Sequence, residues 1–125
     1  RVAYADDAAP LDITPNLLKS LRADEAVLVD QVVRAARAAV RASPVAAREL
    51  GRLLRIEIVL GAGVQKDGSV KVRFFGIFST SGGSSDSYSC NVSATGERAD
   101  GADGWKITKL SCAKDEGWGR TIDLI

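Results

Sequence analysis

The chain of 125 residues contains no histidine and no methionine, and its only cysteines are Cys90 and Cys112. Histidine is the usual general base near neutral pH, and histidine and cysteine are the main ligands of zinc, copper and haem. We therefore expect a protein that is not an enzyme and that binds no metal or other cofactor. The sequence also lacks an apolar run near the roughly 20 residues of a membrane-spanning helix, so we expect no transmembrane segment.

An excess of charge of one sign is also missing. The formal net charge is +1, with 26% charged and 46% hydrophobic residues. These values are typical of a globular protein rather than of a chain that coats nucleic acid. We expect one domain with one hydrophobic core, and no nucleic-acid partner.

The first ten residues bear on the compartment. The chain does not begin with methionine, and Ala3-Tyr4-Ala5 has the small-x-small form of a signal-peptidase site. The stretch 6–10 that follows begins with two aspartates and is acidic and flexible, which is typical of the start of a mature exported protein. We therefore expect residues 1–10 to be a signal-peptide remnant and a flexible N-terminus, cleaved after Ala5, and residues 11–125 to form the domain. This predicts a periplasmic or secreted bacterial protein.

Helical signals dominate the first half of the domain. Thr14-Pro15 combines a capping hydroxyl with proline at the first helical position, which predicts a short helix. Residues 24–42 contain no glycine or proline, and their apolar residues recur at helical spacing, which predicts a long amphipathic helix. Ser43-Pro44 repeats the first signal and predicts a further helix, or a kinked continuation, from Val45 to about Leu54. The expected apolar stripe of the long helix is Leu28, Val32, Ala35, Ala36 and Ala39.

Period-two patterning begins after Arg55 and indicates strands. The first is predicted to place Ile56, Ile58 and Leu60 on one face. Asp67-Gly68 predicts a hairpin turn into a second strand, with a bulge at Gly76. Further strands are predicted from Tyr88 to about Thr95, from Trp105 to about Ala113, and at the edge within Trp118 to Ile125.

This element order predicts an α+β fold, with N-terminal helices packed on one face of a four- to five-stranded antiparallel sheet. The order resembles that of cystatin-like and NTF2-like folds and of β-lactamase-inhibitor-like modules. Gly-Trp-Lys-Ile-Thr at residues 104–108 resembles the penultimate strand of some NTF2-like sequences. A resemblance in fold does not give a function.

The two cysteines fall in the third and fourth predicted strands. A hairpin centred on Gly101 places Cys90 opposite Cys112, and Val92 opposite Leu110. Facing cysteines lie within disulfide reach, and the bond would stabilise the domain by about 3 kcal/mol. We predict this disulfide, which agrees with an oxidising compartment; the alternative is two buried thiols in a cytosolic protein. The same register leaves Trp105 and its alternate neighbour Ile107 on the other face, which requires either a bulge near Gly104 or a cover on that second face.

A basic block is the first candidate for partner binding. Glu49 alone opposes its six arginines, which are Arg34, Arg37, Arg41, Arg48, Arg52 and Arg55. Spacings of three and four place the first three on one helix face, where they would meet an acidic protein, anionic lipid or a cell-wall polyanion. The alternative is an ordinary solvated helix face.

Aromatic residues of the sheet are the second candidate. Phe74 and Phe75 are adjacent, so they point to opposite faces and one of them must leave the helix-covered core. A partner, a second copy in a homodimer, a ligand or the C-terminal segment would cover that ring. The candidate partner-binding aromatic residues are Phe75, Tyr88, Trp105 and Trp118.

Other motifs carry little chemistry. The acidic residues within 97–103 do not match calcium-loop spacing, and the S-x-x-K tetrapeptide at 111–114 lies on a predicted strand. We therefore expect a non-catalytic binding domain that recognises another envelope or secreted protein as an inhibitor or immunity-type partner. The alternatives are a small-ligand-binding or histidine-free enzymatic NTF2-like domain, and an envelope or secretion-machinery component that docks through the arginine-rich helix.

Overall fold

A computed structural model describes residues 9–80, 86–99, 104–113 and 121–125. The helices are α1 (Pro15–Ser20), α2 (Ala23–Ala42) and α3 (Pro44–Glu49). The strands are β1 (Arg52–Val64), β2 (Val70–Ser79), β3 (Ser87–Arg98), β4 (Trp105–Ala113) and β5 (Thr121–Asp123). They form one antiparallel sheet in the order β1-β2-β3-β4-β5, and helices pack against it. The predicted α+β class is confirmed, and the element order fits that of cystatin-like and NTF2-like folds.

The junction from helices to sheet is fixed by Ser43 and Gly51. The Ser43 hydroxyl accepts a hydrogen bond from the Ala46 amide (3.1 Å) and donates one to the Leu124 carbonyl (2.6 Å). Gly51 has φ of 95°, and a Cβ there would lie 2.5 Å from the Ser79 carbonyl oxygen. The left-handed conformation of Gly51 ends the helical part of the chain. The predicted helix to Leu54 is therefore wrong, and β1 begins at residue 52.

Three bulges in β1 change the interval at which its residues face the core, which the sequence pattern did not predict. The register against β2 shifts after Leu53, Ile56 and Val59, so these residues face the core at intervals of three. Val59 is fully buried, whereas Ile58 lies opposite Phe75 on the other face. The predicted grouping of Ile56 with Ile58 is therefore wrong, because each bulge moves the following residues to the opposite face.

The turn from β1 to β2 follows the Asp67-Gly68 prediction. Gly68 has φ of 89°, and the Asp67 carboxylate accepts hydrogen bonds from the amide and hydroxyl of Ser69. Gly76, however, lies in a regular part of β2 rather than in a bulge of that strand. A Cβ at Gly76 would lie 2.9 Å from a methyl group of Leu53, so the glycine serves close packing.

The core lies between α2 and one face of the sheet, which we call the helix-covered face. The buried residues of α2 include Val29, Val32, Val33, Ala36 and Val40. The stripe is thus rotated from the predicted one, since Leu28, Ala35 and Ala39 are half-buried. Both stripes have helical spacing, and contact with the sheet selects one of them. A Cβ at Gly96 would lie 3.0 and 3.1 Å from the methyl groups of Val32, so α2 passes close to β3.

The hairpin of β3 and β4 differs from the predicted register by two residues. Val92 faces Cys112 and Ala94 faces Leu110, so Cys90 lies diagonal to Cys112 rather than opposite. Nearer the turn, Arg98 already faces Trp105, one residue from the predicted register, and the extra residue Thr108 in β4 adds the second. The expected bulge therefore exists, but at Thr108 instead of near Gly104.

The Thr108 bulge turns the side chains of β4 residues 105 and 107 toward the core. Trp105 and Ile107 both pack against the helix-covered face. Farther along the sheet, the tail adds β5 as the predicted edge strand, and Leu124 is buried. None of the helices in the described ranges is both long enough and apolar enough to cross a membrane.

Candidate functional site

The three predicted partner-binding arginines lie on α2 and engage their own chain. Arg34 forms an ion pair with Asp30 (2.9 Å) and donates a hydrogen bond to the Ala9 carbonyl (3.1 Å). Arg37 is only 9% exposed. Arg41 donates to the carbonyls of Leu53 and its neighbour Leu54, at 3.1 and 3.0 Å. Partner binding by these residues stays a prediction, while the contacts give Arg34 and Arg41 structural roles.

Two of the predicted partner-binding aromatic residues lie on the helix-covered face. Tyr88 donates its hydroxyl hydrogen to the Leu50 carbonyl, and its ring centre is 6.2 Å from that of Phe78. Burial raises the pKa of Tyr88 to about 12. These contacts place Tyr88 in the framework of the fold.

Trp105 packs beside α2. Its indole nitrogen donates a hydrogen bond to the Gln31 side chain (2.9 Å), and the Arg98 guanidinium lies 4.6 Å from the centre of a Trp105 ring. Trp118 lies outside the described residues.

Phe75 lies on the opposite face of the sheet, which we call the outer face. Phe74 is fully buried under the helices, whereas Phe75 is half-buried, so the predicted separation of the two rings is confirmed. Phe75 faces Ile58 on β1 and Asn91 on β3. The Asn91 side-chain oxygen is shielded from solvent and has no hydrogen-bond partner in the part of the chain that the structure describes.

A shallow concavity of about 500 Å³ lies on the outer face beside Phe75. Its lining includes Arg73, which is two residues before Phe75 on β2. Register places Lys71 beside Thr95 and Thr95 beside Lys109, and the next row contains Arg73, Ser93 and Ser111. We call this concavity the cationic basin. Its lining is completed by Gly61, Ala62, Gly63, Gln65, Val72 and Ala94.

The three cations of the basin project from exposed positions, and none forms an ion pair among the described residues. Lys71 and Arg73 are alternate residues of β2, so their backbones are about 7 Å apart, and Lys109 is two strands from Lys71, about 10 Å away. The Arg73 side chain lies over Gly61, since a Cβ at Gly61 would be 3.8 Å from Nε of Arg73.

Acidic groups are found at the margins of the basin rather than in its lining. Hydrogen bonds from Ser69 lower the pKa of Asp67, and the charge of Lys71 adds to this. Asp123 on β5 faces Ser111, and Glu97 faces Lys106 beyond the Thr108 bulge. The floor of the basin is therefore neutral and its walls are cationic.

A second, smaller cavity differs in charge. It has a volume of about 290 Å³ and is lined in part by residues 9–12. The chain runs beside β1 there, because the Asp12 carbonyl accepts a hydrogen bond from the Val59 amide and the Thr14 amide donates one to the Val59 carbonyl. Its lining carries charges of both signs, from Asp12, Arg37, Arg55 and Glu57. These charges can compensate one another, so this cavity has no clear preference for a charged ligand.

The predicted cysteine pair lies in the core. Cys90 and Cys112 are both buried and are not joined by a disulfide in this structure. Their side chains are hydrogen-bonded to each other, and this bond together with burial raises the pKa of the Cys112 thiol far above its ordinary value. The proximity of the two thiols is thus established, and the disulfide itself stays a prediction.

Sequence reasoning missed Lys71, Arg73 and Lys109. Each alternates with buried residues on its strand and reads as an ordinary outward-facing position. The available signal was the pair of cations at alternate positions of β2, followed by Phe75. Lys109 could not be added to them without the strand order and the register.

Among the described residues, no cluster of three or more metal-ligating side chains is present. No protein-family model, curated protein or solved structure matches this chain.

Proposed function

We propose that this chain is an exported, non-catalytic binding domain that recognises another protein through the outer face of its sheet. The observation that carries the proposal is the combination, on one face, of the half-buried Phe75 and three exposed cations that form no ion pair with the described residues. Aromatic residues and arginine are enriched at protein interfaces, where an apolar centre is bordered by polar groups. An inhibitor or immunity-type protein is the kind of binding domain that we propose.

The chemistry of the described side chains favours binding over catalysis. A general acid or base works best with a pKa near the operating pH. Asp67, Tyr88 and Cys112 have shifted pKa values, and none of these three groups lines the basin. The pKa values of Tyr88 and Cys112 are raised, so both groups keep their protons near pH 7.

The two alternative functions have weaker support. A small-ligand pocket would require a deep apolar cavity, whereas the basin is shallow and bordered by exposed cations. Docking through the arginine-rich helix would use side chains such as Arg34 and Arg41 that already bind their own chain.

We further propose that Cys90 and Cys112 are oxidised in the exported protein. Their thiols already contact each other across β3 and β4. Forming the S–S bond releases two protons and two electrons, and we propose that a thiol–disulfide oxidant of the oxidising compartment accepts the electrons. The test is a thiol titration of the unfolded, unreduced protein from its native host. No titratable thiol is expected, and two would contradict both the disulfide and the oxidising compartment.

The protein partner can be sought by placing a photo-crosslinking amino acid at Ser93 on the outer face. A matched control carries it at Val27, which is 55% exposed on α2. We expect one host protein to crosslink through position 93 and not through position 27, and the purified pair to form a complex of defined stoichiometry. Crosslinking through position 27 alone, or only to a second copy of this chain, would contradict the proposal.

A further inference from the structure

We infer that the partner presents an extended acidic segment to the cationic basin, where Lys71, Arg73 and Lys109 bind its carboxylates. This inference rests on the proposed function and adds the chemistry of the bound surface. It depends on a juxtaposition of β2 and β4 that only the folded sheet produces.

The basin combines charge with hydrogen-bond donors. Its floor is formed by the small side chains of Ser93, Thr95 and Ser111, whose hydroxyl groups can donate to an oxyanion. The cations stand around this floor, and hydrogen bonds from ammonium or guanidinium groups to a carboxylate are about twice as strong as neutral ones. Because the nearest acidic groups lie at the margins, the basin presents a net positive surface to its ligand.

Spacing along β2 matches that of an extended peptide. Lys71, Arg73 and Phe75 are successive outward residues, about 7 Å apart. A peptide in extended conformation displays alternate side chains on one face at the same interval. The matching segment therefore carries two acidic side chains and one apolar side chain at alternate positions. The planar Arg73 guanidinium can bind one carboxylate through two parallel hydrogen bonds, whereas Lys71 and Lys109 act as point charges.

Other polyanions fit the basin less well. Proteins that bind single-stranded nucleic acid stack successive bases on aromatic rings, whereas Phe75, beside the basin, is the one aromatic residue that the described part of the chain places on the outer face. Recognition of anionic lipid surfaces typically uses clusters of about four to eight basic residues, whereas this basin has three. The net charge of +1 also gives little long-range attraction to a polyanion.

The inference can be tested with a defined peptide and the ¹⁵N-labelled protein. The probe is the capped peptide Leu-Thr-Glu-Thr-Glu, and its control is the same peptide with both glutamates replaced by glutamine. We expect the glutamate peptide to bind about tenfold more tightly at low salt and to shift amide resonances near Lys71, Ser93 and Lys109. Equal affinity for the two peptides, or shifts confined to the helices, would overturn the inference.

Charge-reversal variants locate the binding residues. Lys71→Glu, Arg73→Glu and Lys109→Glu should each weaken peptide binding about tenfold. The matched controls Lys19→Glu in α1 and Arg48→Glu in α3 change the net charge equally and should leave affinity within about twofold. An equal loss in the controls would overturn the inference in favour of general charge attraction. Should a reversed variant fail to fold, the glutamine replacement at the same position provides the test.

Two competing probes separate the macromolecular classes. An oligothymidylate or a sulfated heparin hexasaccharide that binds more tightly than the glutamate peptide would overturn the choice of an acidic polypeptide. If the peptide fails to bind while Ser93 still crosslinks a host protein, the inference is wrong and the proposed function stands. If no host protein crosslinks through Ser93, the proposed function and the inference both fail.

Discussion

The two faces of the sheet use their cations differently. On the helix side, Arg41 donates hydrogen bonds to the carbonyls of Leu53 and Leu54. Arg34 donates one to the Ala9 carbonyl and forms an ion pair with Asp30. On the outer face, Lys71 and its two companions in the basin have no such contacts among the described residues. The density of arginines along a helix is therefore a poor guide to a binding surface, because a folded chain can use those donors itself.

Arg41 of α2 hydrogen-bonds an irregular part of β1. Leu54 is the extra residue at the first bulge of β1, where the regular ladder of hydrogen bonds is interrupted. The guanidinium supplies a donor for the Leu54 carbonyl, which the regular ladder would otherwise supply. The charge of α2 thus stabilises an irregular edge strand, whereas the side chains of the basin cations form no ion pair or hydrogen bond with the described residues.

The largest expected difference between the faces concerns the adjacent phenylalanines. Phe74→Ala removes a fully buried ring and should lower the free energy of unfolding by about 3–5 kcal/mol. Phe75→Ala removes a half-buried ring on the outer face and should cost about 1 kcal/mol. Urea denaturation followed by circular dichroism measures both. Equal losses would mean that the outer face is packed as tightly as the core.

The cysteine pair should give the next largest effect. Oxidation of Cys90 and Cys112 closes a loop of about 20 residues and should raise the free energy of unfolding by about 3 kcal/mol in the chain-entropy model. The measurement is denaturation with and without reductant, with Cys112→Ala as a control whose stability should not respond to reductant. An unchanged stability of the wild type would show that no stabilising bond forms.

A smaller difference is expected between two arginines. Arg41→Ala removes donors to two carbonyl groups and should cost about 1–3 kcal/mol. Arg73→Ala, on the outer face, should change the free energy of unfolding by no more than about 0.5 kcal/mol. Thermal and urea unfolding of the two variants provide the comparison. A larger cost for Arg73→Ala would indicate that the basin contributes to the fold rather than to binding.

The smallest effect, absent at neutral pH, comes from Tyr88. Its pKa is about 12 in the folded protein, against an ordinary value of 10.0. Between these values the unfolded chain loses the proton while the folded protein keeps it, so stability should fall as the pH rises from about 10 to 12. Tyr88→Phe should flatten this part of the profile of unfolding temperature against pH. An unchanged slope in the variant would assign the loss to other groups.

Local sequence signals predicted the helical half well. Pro15 begins α1 as predicted, although the Thr14 hydroxyl makes no capping hydrogen bond there. Ser43 and Pro44 begin α3, and the Ser43 hydroxyl caps it as its chemistry indicates. The end of α3 was less predictable, because the left-handed Gly51 is fitted against Ser79 of a distant strand. The buried stripe of α2 was also ambiguous, since two neighbouring stripes have the same period and only the sheet distinguishes them.

Strand register was the part that sequence could not give. The alternation in β1 and the pairing of Cys90 with Cys112 were each displaced by bulges, which insert single residues without a distinctive sequence mark. The bulge at Thr108 brings Trp105 under α2, where its ring nitrogen bonds Gln31. Such a bulge is favoured by packing between remote elements, so a regular hairpin model misses it.

By itself, the sequence determined the order of helices and strands, the Asp67-Gly68 turn and the assignment of Phe74 and Phe75 to opposite faces. These features depend on side chains within a few residues of one another, acting through caps, turns and strand alternation. Tertiary structure alone decided that Lys109 joins the two cations of β2. That convergence depends on strand order, and on bulges that balance backbone hydrogen bonding against packing under α2.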